Sequence, residues 1–193
     1  MLYIESQHAT YELRFDDNNF YVNDYVNQEI EWQSNVSEYY LGDYSMGFVG
    51  CEVIAVYNAM ILSDYQNVSL LNTIETFQNE GALVLQDFLR GKFGSNPYAI
   101  SRVLDAYNVG YTKIDDLNAL KEPGVYIVSY WNNMDFDSQI HTVTVEIDSS
   151  GKPEVKNATW TKVQNGLFIT GYKISENDVV TNIEGQRKNT TRK

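Results

Sequence analysis

Cys51 is the only cysteine in the chain. It stands where a glycine-punctuated stretch, Tyr44-Ser45-Met46-Gly47-Phe48-Val49-Gly50, gives way to an apolar run that continues through Ile61. Within that run Val53, Ile54, Tyr57, Met60 and Ile61 recur at helical spacing, which predicts a helix with one buried face and Cys51 in its first turn. Free backbone N–H groups and the positive end of the helix dipole favour an anion there, and a thiol so placed can ionise below its ordinary pKa of about 8.5. Taken alone, a free cysteine packs as a small hydrophobe. Two features set Cys51 apart: Gly50, which leaves the front of the helix uncrowded, and His141, a candidate base on a later apolar stretch.

Asn157 supplies the third group. With a hairpin turn centred on Ser149, antiparallel register puts Asn157 opposite His141 on one face of a sheet. A side-chain carbonyl accepting from one imidazole nitrogen would fix the tautomer and leave the other nitrogen aimed at Cys51. His8, in a polar N-terminal stretch, reads as a solvent-exposed bystander. Asp115-Asp116 and Asp135/Asp137 read as solvated turns or helix caps rather than calcium ligands, with Asp137 and Gln139 placed to line a cleft.

The elements that must position these residues fall into two lobes. After the Cys51 helix, Asn67-Val68-Ser69 offers an N-cap for an amphipathic helix carrying Leu70, Leu71, Ile74 and Phe77, stopped at Gly81. A shorter helix follows over 83–89. From Pro97, Ile100, Val103, Leu104 and Tyr107 mark another, closed by Asn108 and Gly110. Asp115 to Leu120 is a brief helical turn. Beyond Pro123-Gly124 the pattern becomes β-branched and aromatic, with strands expected over 125–131, 140–147, 154–158 and 167–174. The first 43 residues are acidic and rich in Asn and Tyr, and read as short strands and loops, including a hairpin over 11–15 and 20–22. They form an extension packed on a domain spanning 44–183, and 184–193 is a polar tail.

Composition excludes several function classes. At 193 residues with 43% hydrophobic content, the chain is long enough for one domain with its own core. A single cysteine forms no intramolecular disulfide or cysteine-based zinc site and suits a reducing compartment, and two histidines argue against a histidine metal centre. The formal charge of −12 repels phosphate backbones and disfavours anionic membranes, and it steers cationic peptides toward the surface. No secretory signal or membrane-spanning run is evident, so a cytoplasmic location is expected.

Gly50 through Ala59, Gly94-Ser95-Asn96-Pro97-Tyr98-Ala99-Ile100 opening a helix, Gly124-Val125-Tyr126-Ile127-Val128, Ile140-His141-Thr142-Val143-Thr144-Val145 and the following Asn157 together resemble the papain-like cysteine peptidase superfamily, within it most nearly the bacterial branch with double-glycine-leader, bacteriocin-processing peptidase domains. The similarity runs from about residue 44 to 175. It implies an α+β fold in which an N-terminal helical lobe carries the nucleophile and a C-terminal antiparallel sheet lobe carries His and Asn across a cleft. Cys51 matches the nucleophile, His141 the general base and acid, and Asn157 the orienter, with no metal or cofactor. The family usually carries a glutamine a few residues before the cysteine to stabilise the oxyanion, and here that neighbourhood is Tyr44-Ser45-Met46. Ser45, or Gln33 folding in from the N-terminal segment, are the candidates for that role beside the Cys51 backbone N–H.

Three functions follow from the resemblance. The first is a cysteine peptidase that cleaves a peptide or amide bond through an acyl-enzyme. Another is a catalytically weak or inactive member of the fold that binds a peptide or protein partner. The third is an acyltransferase or deamidase using the same triad.

Overall fold

The glycines at 47 and 50 and the apolar run after them set the centre of the fold, a computed structural model describing residues 25–132 and 140–176. The hairpin expected over 11–15 and 20–22, the stretch containing Asp135, Asp137 and Gln139, His8 and the tail from 184 lie outside the described residues. A two-stranded ribbon, β1 (Tyr40–Leu41) with β2 (Tyr44–Ser45), leads into a one-turn helix α1 (Met46–Val49). Ser45 caps it, its side chain accepting from Gly47 N. Gly50 closes α1 and opens α2 (Cys51–Leu62).

Helix α2 was expected to bury one face, and instead every residue from Cys51 to Met60 is buried. The reason lies in its composition: a run apolar all round has no face suited to water. The sheet covers one side, and α3 (Leu70–Asn79) and α5 (Ile100–Ala106) also pack on it. The N-terminal segment encloses it further. Tyr57 Oη donates to Gln28 O at 2.8 Å, and Asn58 pairs with both backbone groups of Ile30, donating to its oxygen at 2.8 Å and accepting from its nitrogen at 2.9 Å. A phenol and a side-chain amide thus satisfy backbone groups of this segment, and those of Ile30 would otherwise be buried unpaired. Ile30, Val36, Tyr39 and Leu41 join the same apolar cluster as α2, so the core runs across residue 43 without a break.

The fold is mixed α+β, with a five-stranded antiparallel sheet in the order β3-β7-β4-β5-β6. Its strands are β3 (Tyr111–Ile114), β4 (Gly124–Trp131), β5 (Ile140–Ile147), β6 (Pro153–Lys156) and β7 (Leu167–Ile174). A short helix α4 (Gln86–Leu89) lies between α3 and α5, and α6 (Trp160–Asn165) follows β6. Val125 and Ile127 face the α2 cluster, and Thr144 Oγ1 donates to Ala55 O at 2.9 Å. The alternate residues Tyr126, Val128, Tyr130, Val143 and Val145 pack with Val163 of α6 on the other side. Strand β3 and helix α6 were not anticipated. The first is a four-residue strand pairing only with β7, too short to show a period. The second carried a legible start, because Thr159 caps it by accepting from Lys162 N. Among the described residues, no helix is long and apolar enough to cross a membrane.

Candidate active site

Cys51 begins α2, as its position after Gly50 requires, yet it does not stand there as a bare thiolate. It is buried, and Sγ donates to Glu52 Oε2 at 3.1 Å. Burial pushes the thiol well above its ordinary pKa, and the adjacent carboxyl adds to the push by charge repulsion and by accepting the thiol proton. Backbone contacts from Thr142 and Glu52 favour the thiolate but are outweighed. Low dielectric therefore wins over the helix dipole here. Glu52 is itself only 3% exposed, and its carboxyl is raised by burial against the opposing pull of Cys51, Ser95 and Thr142.

His141 lies at the start of β5, paired across the ladder with Tyr130, whose ring meets the imidazole edge-on at 5.8 Å. Its Nε2 is 2.8 Å from the backbone carbonyl of Asn157. A carbonyl only accepts, so Nε2 carries the hydrogen and Nδ1 is left with its lone pair. Burial holds the imidazole below its ordinary pKa, with the charge of Lys162 adding and the Asn157 carbonyl opposing. The resting pair is thus a neutral thiol and a neutral imidazole. No hydrogen bond joins Cys51 to His141 among the described residues, although both line one cleft.

Asn157 serves His141 by a different atom from the one expected. The turn runs from Asp148 to Lys152, with Ile147 opposite Pro153 and Thr144 opposite Lys156. It is thus centred on Ser150 rather than Ser149, which moves Asn157 two positions along the ladder without changing its face. Asn157 then leaves the strand in a left-handed conformation, φ 67°. Its carbonyl turns to His141 and its side chain turns to Gln33, accepting from Gln33 N at 2.9 Å and donating to Gln33 Oε1 at 3.2 Å.

Of the two oxyanion candidates, the structure brings Gln33 to the site and not Ser45. Gln33 lines the cleft beside Cys51, with Nε2 donating to Met46 O at 2.9 Å. Ser45 is not among the lining residues, and its hydroxyl is occupied in capping α1 and in donating to Ser37 O at 2.6 Å. The cleft has a volume of about 730 Å³. Phe48, Phe93 and Tyr98 stand exposed on its walls, and Trp131, Ile140 and Ile169 complete an apolar lining around the polar floor. Sequence reasoning missed Glu52 and Ser95, although a lone carboxylate inside an apolar helical run was a signal for the first. The sequence matches no protein-family model and none of the curated proteins.

Proposed function

We propose that this chain is a thiol hydrolase of papain-like architecture, acting on a peptide or amide bond, with Cys51 as nucleophile and His141 as base and acid. The observation that carries this reading is the opening of Cys51, at a helix start, and His141, held as the Nε2–H tautomer by Asn157 O, onto one cleft. In the reaction Cys51 Sγ forms a bond to the carbonyl carbon as its proton passes to a base. His141 then delivers a proton to the departing nitrogen, and water cleaves the resulting thioester. Gln33 Nε2 has two hydrogens, one directed at Met46 O, and the second is a candidate donor to the oxyanion beside the Cys51 backbone N–H. An apolar cleft on an acidic chain suits a peptide with bulky side chains and a cationic flank. The same intermediate would serve an acyltransferase or a deamidase, with an amine resolving it or ammonia leaving.

A second reading is favoured by one observation, that the thiol bonds to Glu52 and not to His141. On that reading the cleft holds a peptide without cleaving it. Incubation with a random peptide library, read by mass spectrometry, separates the two. Cleavage products that disappear in Cys51→Ala and fall by about 10²-fold or more in His141→Ala are the expected result. Products that persist in Cys51→Ala overturn the hydrolase, and enriched but intact peptides support the binding module.

A further inference from the structure

Glu52 is the least expected group in the site. It is the residue after the nucleophile, 3% exposed, and its Oε2 lies 3.1 Å from Cys51 Sγ. No salt bridge reaches it among the described residues, where the ion pairs gather at Asp43, Lys156 and Lys173. Beside it Ser95, also 3% exposed and part of the cleft lining, turns its hydroxyl's pull on the same carboxyl, as Thr142 does from β5. A carboxyl kept dry without a cation is unfavourable for packing alone. Its position against the sulfur gives it a use.

We infer that Cys51 and Glu52 form a one-proton pair, in which Glu52 keeps the resting nucleophile as a thiol and is the first acceptor of its proton when sulfur attacks. This rests on Cys51 being the nucleophile. At rest the proton sits on sulfur, Cys51 S–H to Glu52 COO⁻. When a carbonyl carbon approaches, the S–H bond breaks, the proton moves to Oε2, and the sulfur lone pair forms the C–S bond. Glu52 Oε2 then gives the proton up to His141 Nδ1, which delivers it to the leaving nitrogen as the C–N bond breaks. Water adds its oxygen to the acyl carbon and returns a hydrogen to sulfur as the thioester opens, so charge and protons balance over the cycle. Two acids this close in a buried site resist losing a second proton once the first is gone, so a free thiolate beside an ionised Glu52 is disfavoured until a substrate draws on the sulfur. Among the described residues, the other titratable groups around the pair are Tyr130 from β4, which feels the Cys51 charge, and, on the lining of the same cleft, His141 from β5, Tyr44 from β2, and Lys92 and Tyr98 from the loop that leads into α5. Of these, His141 and Lys92 carry or accept positive charge, and Lys92 is directed over the Phe93 ring at 5.9 Å.

The test is the pH profile of Cys51 alkylation by iodoacetamide in the native chain, Glu52→Gln, Glu52→Asp and His141→Ala, with thiolate ultraviolet absorbance followed in parallel. The native thiol should titrate at or above the ordinary value of about 8.5, and Glu52→Gln should lower the midpoint by a unit or more, about tenfold faster alkylation near pH 7. Glu52→Asp, which keeps the charge but draws it back, should fall between. A Glu52→Gln profile that superimposes on the native one overturns the pair, as does a native thiolate already formed at pH 7; the latter measurement needs no variant. If His141→Ala leaves peptide cleavage intact while Glu52→Gln shifts the profile, the role of His141 fails and the pair stands. The reverse pattern removes the pair and leaves the hydrolase.

Discussion

Gln33 and Asn157, 124 positions apart, hold each other by two hydrogen bonds, N to Oδ1 at 2.9 Å and Nδ2 to Oε1 at 3.2 Å. Each also touches the site: Asn157 O orients His141, and Gln33 lines the cleft and bonds Met46 O in the helix leading to Cys51. The N-terminal segment is therefore a second tie between the two sides of the cleft, beside the packing of the sheet on α2. The backbone bond from Asn157 N to Glu31 O at 2.9 Å extends the same tie.

Because Asn157 acts through its carbonyl, substitutions at 157 should sort by backbone conformation. Asn157→Ala must hold a left-handed φ of 67°, a strain of about 1–2 kcal/mol for an L-residue with a Cβ. Asn157→Gly adopts that conformation freely and keeps the carbonyl facing His141. Denaturant unfolding should find the glycine variant the more stable by about 1 kcal/mol, and it should retain more Cys51-dependent cleavage than the alanine variant. Equal loss in both would assign the orienting role to the side chain.

Lys156 is the cation that fastens the segment from below. It is buried, and its ammonium meets Glu29 at 2.9 Å, Glu31 at 2.8 Å and Glu154 at 2.7 Å. Three acceptors raise its pKa against the opposing effect of burial. The carboxylates are partly exposed and rehydrate when it is removed, so Lys156→Met should cost only about 1–3 kcal/mol. The stronger effect should be on the site, because Glu31 O and Asn157 move with it. A drop in cleavage larger than the fraction unfolded explains is the result to look for; unchanged activity at equal folding would free the site from this knot.

His141 and Glu52 give stability opposite dependences on pH. The folded imidazole lies below its unfolded value of about 6.5, so the unfolded chain binds its proton first as pH falls, and stability is lost through that window. The folded carboxyl of Glu52 lies above its unfolded value of about 4.3, so the unfolded chain releases its proton first as pH rises, and that contribution is lost toward neutrality. Thermal unfolding should therefore show Glu52→Gln gaining over the native chain near pH 7 and little near pH 4, while His141→Gln should flatten the native decline below about pH 6.5. A Glu52→Gln advantage that does not change with pH would assign it to packing.

Local signals carried much of this fold. Periodicity and β-branching located α2, α3, β4, β5 and β7, and the cap of α3 was legible in Asn67-Val68-Ser69, where the Ser69 side chain accepts from Asn72 N. The choice of Cys51, His141, Asn157 and Gln33 also came from sequence; the structure puts Cys51, His141 and Gln33 on one cleft and bonds Asn157 to His141 and Gln33. What sequence did not carry depends on dielectric and on long-range pairing. A helix start argues for a thiolate, but the burial that reverses this comes from β5, Tyr130 and Ser95, elements far along the chain. The register of β5 and β6 turned on where a serine-rich turn is centred, and one residue of difference there changed which atom of Asn157 meets His141.

The close approach of Gly50 to Met46 makes the last prediction. The φ of Gly50 is −93°, which any residue adopts, so glycine is not required there for backbone freedom. It is required for space: a Cβ would lie 2.6 Å from Met46 O and 2.7 Å from both Sδ and Cε of Met46. The thioether end can swing aside, but the carbonyl cannot, because it accepts from Gly50 N at 3.0 Å and from Gln33 Nε2 at 2.9 Å. Gly50→Ala should therefore lower stability by about 1–3 kcal/mol through overpacking and should displace Cys51 and Gln33 together. Met46→Ala in the same chain relieves the thioether contact only, so rescue should be partial. Gly81→Ala is the matched control: φ is 61° and no atom lies within 4 Å of the added carbon, so it carries left-handed strain of about 1–2 kcal/mol with no effect on the cleft. Unfolding by urea, read beside iodoacetamide labelling of Cys51, separates the two: similar stability losses in both variants, with altered thiol reactivity in Gly50→Ala alone. Unaltered reactivity in Gly50→Ala would mean that Cys51 is placed by α2 and the sheet without help from the turn before it.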